Sequence, residues 1–239
     1  MDCFRRKKKK KEKQKLLSEE NVTYETIRKN PEICALMKMG DEVLRVMGYT
    51  EHAKMHATIV AQHSAQILEK LGYSAHEIEL AKIAGFMHDI GNAVNRNDHA
   101  HTGAILAYQI LQKLNMPIED IAIIMSAIGN HDEATGEPVT AVSAALILAD
   151  KTDVRCSRVR NPDITTFDKH DKVNFAVHAA NLTTNQEKMV IHLNIELDEE
   201  SCSVLDYFEI FLERMLMCKR AAGFLGMRFK FTVNGNKVL

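Results

Sequence analysis

The sequence predicts a mainly α-helical protein: a helical bundle over the first two-thirds, followed by a small C-terminal α/β module. Two patterns predict it. Apolar residues recur at helical spacing in successive segments bounded by capping signals, and the last third alternates apolar and polar residues with period two. A third observation is quantity. Hydrophobic residues make up 46% of the 239, enough for a sizeable core in one large domain or a core with an appendage.

The elements follow in order. Residues 1–18 read as a solvated basic tail. A first bundle helix runs from about Thr50 to Gly72, with the stripe His56, Ile59, Val60, His63, Ile67 and Leu71. Ser74-Ala75-His76-Glu77 has the spacing of a capping box and opens the next helix. Leu80, Ile83, Ala84, Met87 and His88 are its buried stripe, and Gly91 suits its C-terminal cap. Asn97 or Asp98 can cap a helix from about His99 to Leu114. Pro117 fits the first turn of another, ending at Gly129. The last bundle helix runs from about Val139 past Asp150. Short loops between these helices make residues 19–165 an α-helical domain.

Residues 166–239 change character. Asn174–Leu182 and Lys188–Leu197 read as strands, the second with Ile191, Leu193, Ile195 and Leu197 on one face. Val204–Leu225 is an amphipathic helix, and Phe229, Phe231 and Val233 alternate in a closing strand. This strand–strand–helix–strand module should cover the bundle or an oligomer interface, the latter making the protein a homo-oligomer. It offers no obvious catalytic cluster.

The net charge of −1 hides an asymmetry. Residues 1–15 hold nine Lys/Arg against Asp2 and Glu12, giving +7, so the remainder carries −8. A mildly acidic body gives no support to a nucleic-acid-binding surface. The functional alternative to a solvated tail is contact with anionic lipid or RNA. Five scattered cysteines without a CxxC fit a reducing cytoplasm and argue against a disulfide framework or a zinc knuckle. No apolar run is long enough to span a membrane, and nothing hydrophobic follows the basic start, as a signal peptide would require.

The chemistry gathers around His88-Asp89, in Gly85-Phe86-Met87-His88-Asp89-Ile90-Gly91. A carboxylate can bridge two cations while an imidazole holds one of them. Alone the pair says little, since many His-Asp dipeptides are solvated. The chain supplies partners at helix ends or on inward stripes: His56, His99, His131 and Asp150, the last ending the apolar run Ala141 to Ala149. His63, seven residues from His56, shares its helix face, and His101 lies beside His99. His52 could see the same cavity and hold a third ion. Lys151 can pair with a substrate phosphate or lie at the surface. Arg155 or Arg158 suits a phosphate contact, though spacing forbids Arg155, Arg158 and Arg160 all facing one pocket.

This order of His, His-Asp, His, His, Asp resembles the HD-domain metal-dependent phosphohydrolase superfamily over roughly residues 45–160. His56-Ala57-Thr58-Ile59-Val60-Ala61 is similar to the family's first-helix pattern, and His88-Asp89-Ile90-Gly91 to its signature turn. His99-Ala100-His101-Thr102-Gly103-Ala104 resembles the H-x-x-x-G-A segment of members with a second metal, favouring His99 and leaving His101 either as a support behind the ligands or as a phosphate contact. Leu148-Ala149-Asp150-Lys151 resembles the bacterial diadenosine-polyphosphate hydrolase branch. The HD-GYP branch is also similar, but Asn92 replaces its lysine, Gly136-Glu137-Pro138 replaces its Gly-Tyr-Pro, and His131 stands alone where it has two histidines. A cyclic dinucleotide substrate is therefore discounted.

The resemblance implies one metal held by His56, His88, Asp89 and Asp150, and a second held by Asp89, His99 and His131, with Asp89 bridging. It implies two divalent ions among Fe, Mn, Co, Ni and Zn, and hydrolysis of a nucleotide or other small phosphoester by a metal-activated water, with Asp89 and Lys151 in catalytic roles. The same ligands are compatible with a di-iron oxygenase, and the extra module with a non-catalytic nucleotide-sensing scaffold.

Overall fold

The computed structural model describes residues 22–49, 54–161 and 163–239; the basic tail and His52 lie outside them. Two helices precede the predicted bundle. Tyr24–Ile27 (α1) is a single turn, and Pro31–Val46 (α2) is a full amphipathic helix. The sequence does signal α2: Asn30 Oδ1 accepts from the amides of Glu32 and Ile33, and Pro31 sits in the first turn.

The bundle follows in the predicted order: Lys54–Lys70 (α3), Ala75–Met87 (α4), His99–Lys113 (α5), Ile118–Gly129 (α6) and Ala141–Lys151 (α7). Ser74 and Glu77 form the capping box expected at α4, worth about 1 kcal/mol by analogy with other N-caps. The expected cap of α5 differs. Asp98 occupies the N-cap in a left-handed conformation, φ 58°, and its side chain makes no capping bond. Pro117 is the residue before α6 rather than inside it.

Helix α7 is the axis of the molecule. It packs against α3, α4, α6 and, from the C-terminal module, Val204–Phe224 (α9). Every residue from Val142 to Lys151 is buried. A helix surrounded on all sides must be largely apolar on all sides, which explains the run from Ala141 to Ala149, interrupted by Ser143, whose hydroxyl donates to the Thr140 carbonyl.

The predicted strand at Asn174–Leu182 begins three residues late. Lys169–Ala176 is a helix (α8), because Asp168 Oδ1 accepts from the Asp171 amide and caps it. Strand β1 is Val177–Asn185, β2 is Val190–Leu197, β3 is Arg228–Val233 and β4 is Asn236–Lys237. The order is β1-β2-β3-β4. Hairpins make β1–β2 and β3–β4 antiparallel, while α9 is the crossover that makes β2–β3 parallel. Ile191, Leu193, Ile195 and Leu197 are buried as their alternation predicts.

One contiguous apolar core runs from the bundle into the sheet and α9. Tyr207, Phe211 and Phe231 meet within it, with Tyr207 stacked on Phe231 at 5.6 Å between centroids. Burial there pushes the Cys218 thiol up to about 12. At pH 8 Cys218 should therefore resist alkylation in the native protein, while the less buried Cys34 and Cys156 react. Mass spectrometry after iodoacetamide checks this. Native labelling at Cys218 as fast as at Cys34 would contradict the packing described.

Candidate metal centre

Five chain segments deliver the candidate residues to one place. His56 lies in the first turn of α3, His88 caps the end of α4, and His99 is the first residue of α5. His131 follows the end of α6, and Asp150 lies in the last turn of α7. Helix α4 stops where it does for a useful reason. Asp89 leaves helical geometry at φ −97°, ψ 4°, and a 3-10 turn over Ile90–Ala93 follows. This break lets adjacent side chains, which an unbroken helix would splay about 100° apart, converge on one chamber.

Each imidazole is held by its Nδ1. His88 Nδ1 bonds the Gly85 carbonyl at 2.8 Å, His131 Nδ1 that of Ile128 at 2.6 Å, and His99 Nδ1 that of Arg96 at 3.0 Å. In all three the acceptor lies three residues back, at a helix end or turn where carbonyls want donors. His56 Nδ1 instead bonds Asp153 Oδ2 at 2.7 Å. With Nδ1–H donating, the tautomer is fixed and Nε2 carries the lone pair, as metal-binding histidines require.

The Nε2 atoms converge. Asp150 Oδ1 lies 3.2 Å from His56 Nε2 and 3.7 Å from His88 Nε2. Asp89 stands between two histidine pairs. Its Oδ2 is 3.2 Å from His88 Nε2 and 3.8 Å from His56 Nε2; its Oδ1 is 3.5 Å from His99 Nε2 and 3.9 Å from His131 Nε2. Asn92 Nδ2 steadies the carboxylate, donating to Oδ1 at 2.8 Å.

These donors fit divalent cations. His88 Nε2 is fully buried and makes no hydrogen bond, yet its lone pair faces two carboxylates. His99 and His131 set their Nε2 atoms 3.2 Å apart, lone pair towards lone pair in the tautomers fixed above. Both arrangements repel unless a cation lies between them. Burial alone would lower His88, but Asp89 and Asp150 outweigh it and raise its pKa. The field that favours a proton there favours a metal in its place. Burial, with the nearby His88, Lys151 and His99 charges, holds His131 well below its usual value. His56, His88 and Asp150 form one ligand-competent cluster, and His88, Asp89 and His131 another.

A charged network backs the chamber. Lys151 Nζ lies 2.8 Å from Asp150 Oδ2 and 2.6 Å from Glu133 Oε2, and Arg214 Nε bonds Glu133 Oε1 at 3.1 Å. Burial opposes ionisation of Asp150, but Lys151, His56 and His88 together hold its carboxyl well below the usual range. In front of the chamber lies a cavity of about 440 Å³. Arg96, Arg158 and Arg214 line both spaces and form the throat between them.

The predicted residues divide. His56, His88, Asp89, His99, His131 and Asp150 meet. His63, the alternative to His56, lies two turns along α3, in a shallow groove with Leu182 and Thr184. His101 corrects an expectation: it is exposed and 3.6 Å from Asp98, because two residues turn it about 200° around α5 from His99. It lines neither space. Lys151 is buried between two carboxylates. Arg155 turns from the throat to clasp Asp153 with Nε and Nη2. Of the pair Arg155 or Arg158, Arg158 reaches the throat.

Sequence reasoning missed Arg96, Asn92, Glu133, Asp153 and Arg214. Asp153 and Glu133 carried a usable signal, each standing two or three residues after a candidate ligand. Arg214 carried none. It reaches the site only because α9 docks on α7, so the C-terminal module, expected to hold no chemistry, supplies part of the wall.

Comparison with known proteins agrees with this geometry. Residues 54–155 match the family described as HD domain. Over that segment the chain is similar to HD domains, which are in general metal-dependent hydrolases. The uncharacterized protein MJ1020 of Methanocaldococcus jannaschii is 24% identical over 202 residues, covering 74% of this chain and 77% of that protein. Ribonuclease Y of Lawsonia intracellularis is 33% identical over 115 residues, 46% of this chain but 21% of the relative. Ribonuclease Y of Thermotoga petrophila is 28% identical over 134 residues, 53% and 25% respectively. The chain therefore spans about a fifth to a quarter of these two ribonucleases. No helix among the described residues is long and apolar enough to cross a membrane.

Proposed function

We propose that the protein is a metal-dependent phosphohydrolase acting on a nucleotide or other small phosphoester at a dinuclear centre. The observation that carries the reading is the position of Asp89, with one carboxylate oxygen facing His56 and His88 and the other facing His99 and His131. His56, His88, Asp89 and Asp150 would hold one ion; Asp89, His99 and His131 the other. Such ions supply Lewis acidity to phosphoryl oxygens and lower the pKa of a water between them.

The chain's own groups do the rest. Asp153 and the three carbonyls keep every Nε2 aimed inward. Lys151 holds the Asp150 carboxylate ionised and in place, so its role in this reading is positioning rather than direct phosphate contact. The cavity of about 440 Å³ is of ordinary size for a small-molecule site. The Leu148-Ala149-Asp150-Lys151 segment supports a branch akin to the diadenosine-polyphosphate hydrolases, while the name of the ribonuclease relatives brings RNA into consideration.

The test is elemental analysis of purified protein, then a panel of nucleotides, dinucleoside polyphosphates, sugar phosphates and single-stranded RNA with the native metal restored. Turnover of at least one substrate, abolished by chelation and recovered with the ion, is expected. Chelation should also lower Tm, since an ion that binds only the native state at about 1,000 times its Kd adds about 4 kcal/mol. Inertness across the panel with metal confirmed bound would refute hydrolysis, and metal-dependent oxygen uptake in its place would establish an oxygenase.

A further inference from the structure

The throat between chamber and outer cavity is built from three guanidiniums on three separate segments. Arg96 lies in the turn before α5, Arg158 follows α7, and Arg214 is on α9, beyond the matched HD segment of residues 54–155. Each is fixed by something other than a substrate. Arg96 lies over the Tyr49 ring at 5.7 Å, its Nη1 is 3.4 Å from His99 Nε2 and 3.5 Å from Asn92 Oδ1, and Asp89 Oδ1 is 4.0 Å away. Arg158 is buried and donates from Nη1 to the Asp153 carbonyl at 2.6 Å. Arg214 lies over the Phe211 ring at 4.8 Å and commits Nε to Glu133.

Arg158 is buried and Arg96 and Arg214 are half-buried, and gathering three guanidiniums around one opening is costly unless anions offset them. The local carboxylates are shared with other cations. Glu133 pairs with both Lys151 and Arg214, Asp150 with Lys151, and Asp153 with Arg155, Arg158 and His56, while Asp168 and Asp171 lie on the wall of the outer cavity. Arg214, anchored at Nε, keeps its two Nη groups as a fork, which matches two oxygens of a phosphoryl group.

We propose that Arg214, with Arg96 and Arg158, forms the anion receptor of this site, holding the substrate's phosphoryl group between the throat and the His/Asp chamber. The rest of the substrate then lies in the outer cavity, beside Tyr49, Phe211 and Asn174. The proposal rests on the phosphohydrolase reading for its substrate, but the receptor can be probed without turnover. It also gives the C-terminal module a function: docking α9 on α7 completes the site.

The experiment is titration of inorganic phosphate into the metal-loaded full chain, by calorimetry, for wild type, Arg214→Lys, Arg214→Ala and Arg220→Ala. Arg220 is on the same helix, exposed and paired with Glu137, and serves as control. Arg214→Lys keeps the charge beside Glu133 but loses the fork. It should keep its metal content and Tm while phosphate binds on the order of tenfold more weakly. Arg214→Ala should bind phosphate more weakly still, and Arg220→Ala should match wild type. If Arg214→Ala does not fold, the lysine variant decides. On any phosphoester that the wild type hydrolyses, KM for Arg214→Lys should rise more than kcat falls.

The outcomes separate the two ideas. Equal phosphate affinity in wild type and both Arg214 variants, with metals retained, overturns the receptor and leaves hydrolysis standing. Failure of the metal-loaded wild type to bind phosphate also overturns the receptor. Phosphate binding that depends on Arg214 without turnover of any phosphoester supports the receptor and refutes hydrolysis.

Discussion

Asp89→Ala is expected to deplete both metals and to lower turnover by several orders of magnitude. The carboxylate is the one group whose two oxygens face different histidine pairs, at 3.2 and 3.8 Å on one side and 3.5 and 3.9 Å on the other. Its removal takes a ligand from each proposed ion and an anion from the centre of four imidazoles. His131→Ala should behave differently. His56, His88 and Asp150 form a cluster without it, so the first ion should stay while the second is depleted. Both variants should keep a native circular dichroism spectrum, because Asp89 and His131 line a chamber and are not part of the apolar core. Their Tm should fall by the stabilisation the lost ions supplied. The measurement is metal stoichiometry beside turnover for each variant. An Asp89→Ala protein with two ions per chain and near-normal turnover would refute the dinuclear assignment.

The contrast between these variants comes from how the site was legible. Candidate ligands at helix ends can be read from sequence, because a helix end is marked by caps and by the stop of an apolar stripe. His88, His99, His131 and Asp150 all stand at such marks. Their Nδ1 anchors are nearly as local: three of the four acceptors are carbonyls three residues back. What the sequence could not convey was anything that depends on docking. Asp153 aligns His56 across 97 residues of chain, and Arg214 meets Glu133 across 81. Neither relation has a periodicity. The fold divides in the same way. Bundle helices with strong stripes and capping boxes are readable, whereas α8 is missed and its last three residues read as strand, because its short, weakly apolar run gives no helical stripe and only its Asp168 cap marks it.

Gly91 shows a residue read correctly as necessary but for the wrong reason. As a C-terminal cap it would need positive φ, and it is not among the glycines that have it. Its constraint is space. A Cβ at Gly91 would overlap the His99 carbonyl and come within 2.6 Å of the Gly103 amide nitrogen, both backbone atoms at the start of α5. Backbone cannot swing aside as a side chain can, so Gly91→Ala should push α5 away from the Ile90–Ala93 turn. The cost should be at least the roughly 1–3 kcal/mol of an overpacked core, and each kcal/mol lowers Tm by about 2–4 °C in a chain of this size. Displacing α5 also moves His99 while leaving His56, His88 and Asp150 on other helices, so the variant should lose the second ion before the first. Gly223→Ala is the control. It lies within α9 with no atom near its added Cβ, and should be neutral or slightly stabilising. Scanning calorimetry and metal analysis of the two variants decide the matter. An unchanged Tm and full metal content for Gly91→Ala would mean that the close approach of α5 to the HD turn does not position His99.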